Sequence, residues 1–290
     1  MSVPHFESIS PSAKSLLLSK ALTSIPFAKE AVGLIWGENK QQYDQKRLNS
    51  TGFFQRLVHF ESRYWSIDSA LSEIGIKNIL EFSSGFSFRG LSMCRDPEVV
   101  YVDTDLPQII DVKKILVQEL AAQFCNYPVD NLFLQGLNVL DENTFAETIH
   151  MLPAGPFAIV NEGLLMYLDE GQKQELCKII HDLLTERGGY WITADIYLKN
   201  EMLNATTQDF YNERGTKFLA EHHVEDNKFD SFESAESFFM KSGLEIYKKI
   251  EPPSQKISSM ALLEKSMGHR SGDIKRRKKI RETWILKIDE

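Results

Sequence analysis

The chain has 290 residues, with 33 Lys and Arg against 41 Asp and Glu (formal charge −8 at pH 7), 42% hydrophobic and 26% charged residues. This is ordinary globular composition, and it excludes a disordered chain, a fibrous repeat and a disulfide-stapled miniprotein. The acidic balance argues against a surface built to hold nucleic acid, because phosphate binding wants net positive charge. Residues 1–75 carry helical periodicity and no strand signal, and predict a helical cap. Ser10-Pro11-Ser12 reads as a helix start, with Leu16, Leu17 and Lys20 at helical offsets. Phe53, Phe54, Leu57, Phe60, Tyr64 and Ile67 recur every three or four residues and form one aromatic helix face. The first thirty residues hold no secretory h-region, and no run of about 18 apolar residues occurs anywhere. A cytoplasmic protein without a membrane span is the expectation.

From residue 76 to 196 the pattern changes to short β-rich runs alternating with amphipathic helices. The runs are Asn78–Phe82, Val99–Val102, Leu132–Leu134, Phe157–Val160 and Tyr190–Thr193. Near-continuous apolar strands separated by helices predict a parallel sheet covered on both faces, hence an α/β fold. Pro107 suits the first turn of a helix running to about Phe124. Asp169-Glu170-Gly171-Gln172 resembles a capping box before the stripe Leu176, Ile179, Ile180, Leu183 and Leu184, and Gly188-Gly189 stops that helix. Residues 197–230 are polar, aromatic-dotted and weakly periodic, which reads as a lid or substrate insertion. A helix from Phe232 to Lys241 follows in the segment 231–290. Leu244–Ile250 and Thr283–Ile288 alternate apolar and polar residues, as an antiparallel hairpin at a sheet edge would. The basic run Lys275-Arg276-Arg277-Lys278-Lys279 between them reads as a solvated loop. The whole is taken as a single domain. Cys94, Cys125 and Cys177 make no CxxC and read as thiols of a reducing compartment.

Open α/β sheets bind ligands at the carboxyl ends of their strands, so the chemistry is sought there. The first strand runs into Glu81-Phe82-Ser83-Ser84-Gly85-Phe86-Ser87-Phe88-Arg89, a small-residue turn that lets ligand atoms approach the backbone. It lacks a full GxGxxG. About twenty residues on, the second strand ends in Asp103-Thr104-Asp105, placed to accept hydrogen bonds from ribose hydroxyls, or to cap the next helix. Two nucleoside cofactors fit: a nicotinamide dinucleotide and S-adenosylmethionine. A carboxylate in the turn region, Glu81, would repel a pyrophosphate and suits a ligand carrying an ammonium and a sulfonium.

The Glu81–Arg89 turn is similar to the ELGxGLDxR turn of the leucine carboxyl methyltransferase family, which includes bacterial tetracenomycin-type polyketide O-methyltransferases. Val102-Asp103-Thr104-Asp105-Leu106-Pro107 resembles its E-x-D-x-P. Gly136-Leu137-Asn138-Val139-Leu140 resembles the D-L segment after strand three. Asn161-Glu162-Gly163-Leu164-Leu165-Met166-Tyr167-Leu168 resembles AEGxLxYL after strand four. Lys14 stands where the family has an early lysine, and Gly52-Phe53-Phe54-Gln55-Arg56 resembles its GxxxR helix start. The likeness covers residues 10–200 and thins beyond.

It implies a Rossmann-like class I methyltransferase sheet, five parallel strands plus a C-terminal antiparallel hairpin, with helices on both faces and an N-terminal helical cap. It implies S-adenosylmethionine as cofactor, a small-molecule acceptor, and S-adenosylhomocysteine as product. By the same resemblance Lys14 and Arg56 hold the methionine carboxylate. Gly85 faces the amino end, with Glu162 as its anionic partner. Asp105 takes the ribose with Asp103 beside it, Asn138 reaches the adenine amine, and Val139 offers its backbone N–H to the ring. Ser83 departs from a glycine, and Asn138 from an aspartate. A carboxylate acceptor is ionised at neutral pH and needs no base; a hydroxyl acceptor would need one, from His222, His223 or Asp195. Tyr167 and Tyr197 are expected to line the acceptor pocket. A nicotinamide-dependent oxidoreductase and a catalytically decayed binding protein stay as alternatives.

Overall fold

Strands buried on both faces need helices on both sides, and the chain supplies them in alternation. The computed structural model describes residues 11–37, 50–199, 220–267 and 279–289. Ser10, residues 200–219 of the predicted insertion and Lys275–Lys278 of the basic run lie outside them. The helical first segment contains α1 (Pro11–Lys20), α2 (Ala28–Trp36) and α3 (Thr51–Ile74). Then come β1 (Asn78–Phe82), α4 (Arg89–Met93), β2 (Val100–Asp105), α5 (Pro107–Phe124), β3 (Leu132–Gly136), α6 (Glu142–Ile149), β4 (Phe157–Asn161), α7 (Glu170–Arg187) and β5 (Gly189–Tyr197). The last part holds α8 (Phe232–Lys241), β6 (Leu244–Ile250), α9 (Met260–Met267) and β7 (Arg281–Ile288).

The seven strands form one sheet in the order β3-β2-β1-β4-β5-β7-β6, as expected of a Rossmann-like methyltransferase sheet. Strands β1 to β5 pair in parallel, and β7 runs antiparallel to both β5 and β6. The expected hairpin is therefore a pair of antiparallel neighbours joined through α9, with the last strand inserted inside the edge. The order reverses between β1 and β4, which opens a crevice at their carboxyl ends.

Strand alternation sorts the core. Leu80, Phe82, Val102, Ile159, Trp191 and Leu286 face α6, α7 and α8. Ile79, Tyr101, Val160, Ile192 and Ile285 face Ile67, Ala70 and Leu71 of α3. The first two helices lie on α5 and Tyr64 rather than on the sheet itself. Helix ends follow local chemistry: Ser50 caps α3, Pro107 occupies the first turn of α5, and Asp169 and Gln172 form the expected capping box of α7. The ends of the predicted insertion are clasped, since Phe229 N–H donates to the Tyr197 carbonyl at 2.9 Å and Lys199 N–H to that of Phe229 at 2.8 Å. Among the described residues no helix is long and apolar enough to cross a membrane.

Candidate functional site at the carboxyl rim of the sheet

After β1 the chain turns through Ser83 (φ 48°) and Gly85 (φ 51°). A Cβ added at Gly85 would meet nothing within 4 Å, so the turn is open above the rim. The Gly85 N–H donates to Asp105 Oδ2 at 2.7 Å, and Leu106 N–H donates to Asp105 Oδ1 at 2.7 Å. Asp105 is half-buried, and burial pushes its pKa up against the pull of these two donors. Each oxygen keeps acceptor capacity, enough for two neighbouring hydroxyls.

Asp103 does not join it. Its carboxylate is buried against Lys113 Nζ of α5 at 2.7 Å, and that ammonium also donates to Ser84 Oγ at 2.8 Å. Glu81 corrects its expectation too. Its alternation places it on the α3 face, fully buried, where it accepts from Tyr101 Oη at 2.8 Å and Arg89 Nε at 3.4 Å. It neutralises Arg89 inside the fold instead of facing a ligand from the turn. At the tip of β3, Asn138 is exposed and its Oδ1 accepts from Leu140 N–H at 3.2 Å, while Val139 is buried.

The tip of β4 carries the densest charge. Glu162 Oε1 accepts from Lys20 Nζ at 2.9 Å and from Arg63 Nε and Nη2 at 3.1 and 3.0 Å; Oε2 accepts from Arg89 Nη2 at 3.1 Å. Burial pushes this carboxyl up, but Lys20, Arg63 and Arg89 outweigh it and hold its pKa well below the usual carboxylate range. Arg89 is anchored further by the Tyr64 carbonyl at 3.1 Å, by Asp68, and by the Tyr64 ring 3.9 Å from its guanidinium carbon. Among the described residues the cations on Glu162 are thus Lys20, Arg63 and Arg89, while Lys14 and Arg56 are the residues expected to hold the methionine carboxylate. Arg56 lies two turns up α3 from Arg63, about 10 Å along the axis, with its guanidinium 5.5 Å from the Phe53 ring. Lys14 is on α1, and its side chain falls outside the described residues.

Asp195, considered as a base, is a backbone clamp. It accepts from Asn161 Nδ2 at 2.7 Å and from the N–H groups of Gly163, Leu164 and Leu165 at 2.7 to 3.2 Å. These bonds shape the loop that presents Glu162. His222 and His223 are exposed; His222 meets the Tyr167 ring edge-on at 6.3 Å, and His223 pairs with Asp226 at 3.3 Å. Tyr197, at the end of β5, bonds His59 Nε2 at 2.7 Å and accepts from Arg63 Nη1 at 3.3 Å.

The rim therefore places a diol-sized acceptor at β2, an open turn at β1 and a mixed-charge cluster at β4. No family model and no curated protein matches the chain. Solved structures do. The mitomycin 7-O-methyltransferase MmcR is 11% identical with a TM-score of 0.48, over 96% of this chain and 67% of that one. The S-adenosylmethionine-dependent methyltransferase SibL, in its apo form, is 12% identical with a TM-score of 0.46, over 82% and 58%. The methyltransferase domain of bacterial CtHen1 is 10% identical with a TM-score of 0.48, over 79% and 100%.

Residue type and spacing alone assign no role at the site to Lys20, Arg63, Arg89 or His59. A signal for them exists: Lys20 sits among the apolar positions of α1, and His59 and Arg63 are one turn apart beside the aromatic stripe of α3. A charge in a buried stripe implies a partner elsewhere in the fold.

Proposed function

We propose that the chain is an S-adenosylmethionine-dependent O-methyltransferase whose acceptor is the carboxylate of a small molecule, polyketide-like in the sense of the leucine carboxyl methyltransferase family. The observation that carries this reading is the pairing of two subsites on the tips of β2 and β4, on either side of the β1 turn. Asp105 beside the open Gly85 turn offers two acceptor oxygens to a ribose. Glu162 with Lys20 and Arg63 offers both signs of charge to an amino-acid zwitterion. A dinucleotide would ask for the full glycine fingerprint, which the turn lacks.

The bound cofactor supplies a methyl group on a cationic sulphur. Lys20 and Arg63 would hold the ligand's carboxylate, and Glu162, still held by Arg89, would hold its ammonium. Asp105 orients the ribose; Asn138 and Val139 lie at the β3 tip for the adenine. An ionised carboxylate acceptor needs no base, so the protein's task is alignment and exclusion of water around two opposite charges. Tyr167 and Tyr197 stand on the acceptor side.

A second reading, a methyltransferase-fold binding protein without turnover, draws support from Ser83 in the left-handed region and from Glu162 already satisfied by three cations. Calorimetric titration with S-adenosylhomocysteine is the test. One-site binding weakened at least tenfold by Asp105→Ala is expected, followed by methyl-ester formation on a carboxylate panel. No binding rejects both the cofactor and the enzyme; binding with no ester formed favours the second reading.

A further inference from the structure

We propose that Arg281, Tyr197 and His59 form a second subsite on the rim, which holds the oxyanion of the acceptor. It takes its choice of ligand from the methyl-transfer reading, but its geometry stands apart from Asp105 and Glu162. The order β2-β1-β4-β5-β7 sets the tips of these strands in a row. Because β7 is antiparallel, its first residue, Arg281, lies at the carboxyl rim directly opposite Tyr197, the last residue of β5. Paired residues on adjacent strands project to the same face. His59 reaches the same point from α3, its ring 5.5 Å from that of Tyr197.

The charge balance points to an anion. Arg281 is half-buried, yet among the described residues its guanidinium donates only to neutral acceptors, the Ala194 carbonyl at 3.2 Å and Thr283 Oγ1 at 2.8 Å. Among the described residues no carboxylate pairs with it within 4.0 Å, whereas the neighbouring anions are already engaged. Glu162 is held by three cations, Asp195 by backbone N–H groups and Asn161, and Glu225 by Lys228. A half-buried guanidinium without a carboxylate partner is costly, and an oxyanion offsets that cost.

The hydrogen-bond pattern fits the same ligand. Arg63 donates to the Tyr197 oxygen, so the phenol hydrogen is assigned to His59 Nε2 and the imidazole keeps its own hydrogen on Nδ1. Burial, Arg281, Arg63 and Lys228 keep that imidazole neutral against the weaker pull of Glu162. The neutral His59 thus presents its Nδ1–H as a donor and positions Tyr197.

The test is NMR of the His59 ring C–H signals, assigned through His59→Gln, in protein saturated with S-adenosylhomocysteine. Sodium acetate and sodium benzoate are titrated against chloride at equal ionic strength, with benzyl alcohol as the neutral probe. The expected result is a saturable shift of the His59 signals by a carboxylate and none by chloride or benzyl alcohol. Arg281→Met lowers the carboxylate affinity at least tenfold, and Arg281→Lys recovers part of it. Should Arg281→Met fail to fold, Arg281→Gln, which keeps a donor without the charge, gives a loss of at least threefold in the same titration. Equal responses to acetate, benzoate and chloride, or an affinity untouched by these replacements, overturn the subsite. If S-adenosylhomocysteine does not bind but a carboxylate still moves His59, the subsite stands and the methyl-transfer reading falls.

Discussion

Ser83 occupies a left-handed backbone conformation, φ 48°, which costs a residue with a Cβ on the order of 1 kcal/mol. Glycine relieves it and gives back part of the gain as unfolded-chain entropy. Ser83→Gly is expected to raise stability by up to about 1 kcal/mol in urea unfolding, with a correspondingly higher Tm. Glu162 behaves in the opposite sense. Its pKa is lowered in the folded state, so its stabilisation is complete above the unfolded carboxylate pKa and is lost as pH falls below it. Glu162→Gln leaves Lys20, Arg63 and Arg89 facing one another and should cost about 3–5 kcal/mol at pH 7. The gap between wild type and variant should narrow steadily below about pH 4.5, as read from chemical denaturation at a series of pH values. Glu81, Asp103 and Asp105 are shifted up mainly by burial and act against this trend in the wild-type profile, so the difference curve is the quantity to measure.

Single backbone positions decide whether whole elements dock. Gly189 opens β5 at φ 120°, and a Cβ there would lie 2.0 Å from the Phe157 carbonyl oxygen of β4. Gly189→Ala therefore separates the two strands that carry Glu162 and Tyr197, and should cost more than about 3 kcal/mol or abolish folding, as read by circular dichroism and yield of soluble protein. Glu61 works between elements. Its carboxylate accepts from Ser24 N–H and Oγ, Ser258 Oγ, and Ser259 N–H and Oγ, at 2.6 to 3.0 Å. It thereby ties α3 to the loop after α1 and to the start of α9. Burial alone would raise its pKa; the hydroxyl and N–H donors outweigh that and lower it. Since α3 carries Arg63 and His59 and α1 carries Lys20, Glu61→Ala should loosen the Glu162 cluster. The expected signs are faster hydrogen exchange in both helices and weaker S-adenosylhomocysteine binding, with Asp105 intact.

For the molecule as a whole, a ligand that binds only the folded state stabilises it by mass action. S-adenosylhomocysteine at one hundred times its Kd should add about 2.7 kcal/mol, seen as a rise in Tm that Asp105→Ala abolishes at the same concentration. Much of the architecture is legible in the residues. The strands at Asn78–Phe82 and Leu244–Ile250, the helices at Pro107–Phe124 and Phe232–Lys241 and the capping box at Asp169 fall where periodicity and capping chemistry put them. Such signals are local, resting on neighbours within one turn or one strand. Glu81 and Asp103 show where locality fails. Both are acidic residues near the carboxyl ends of their strands, yet both are sealed on the α3 and α5 sides by Arg89 and Lys113.

The amino-acid order by itself determined the alternating α/β plan, the open turn at Gly85 and the carboxylate at Asp105, because each depends on residues close together along the chain. Only the tertiary structure decided which cations meet Glu162, that Asp195 is spent on backbone N–H groups, and that Arg281 arrives beside Tyr197. Those pairings join residues as far apart as 20 and 162, and 63 and 197. They exist because burial makes an unpaired charge costly, and the packing of helices on the sheet selects the partner that relieves it.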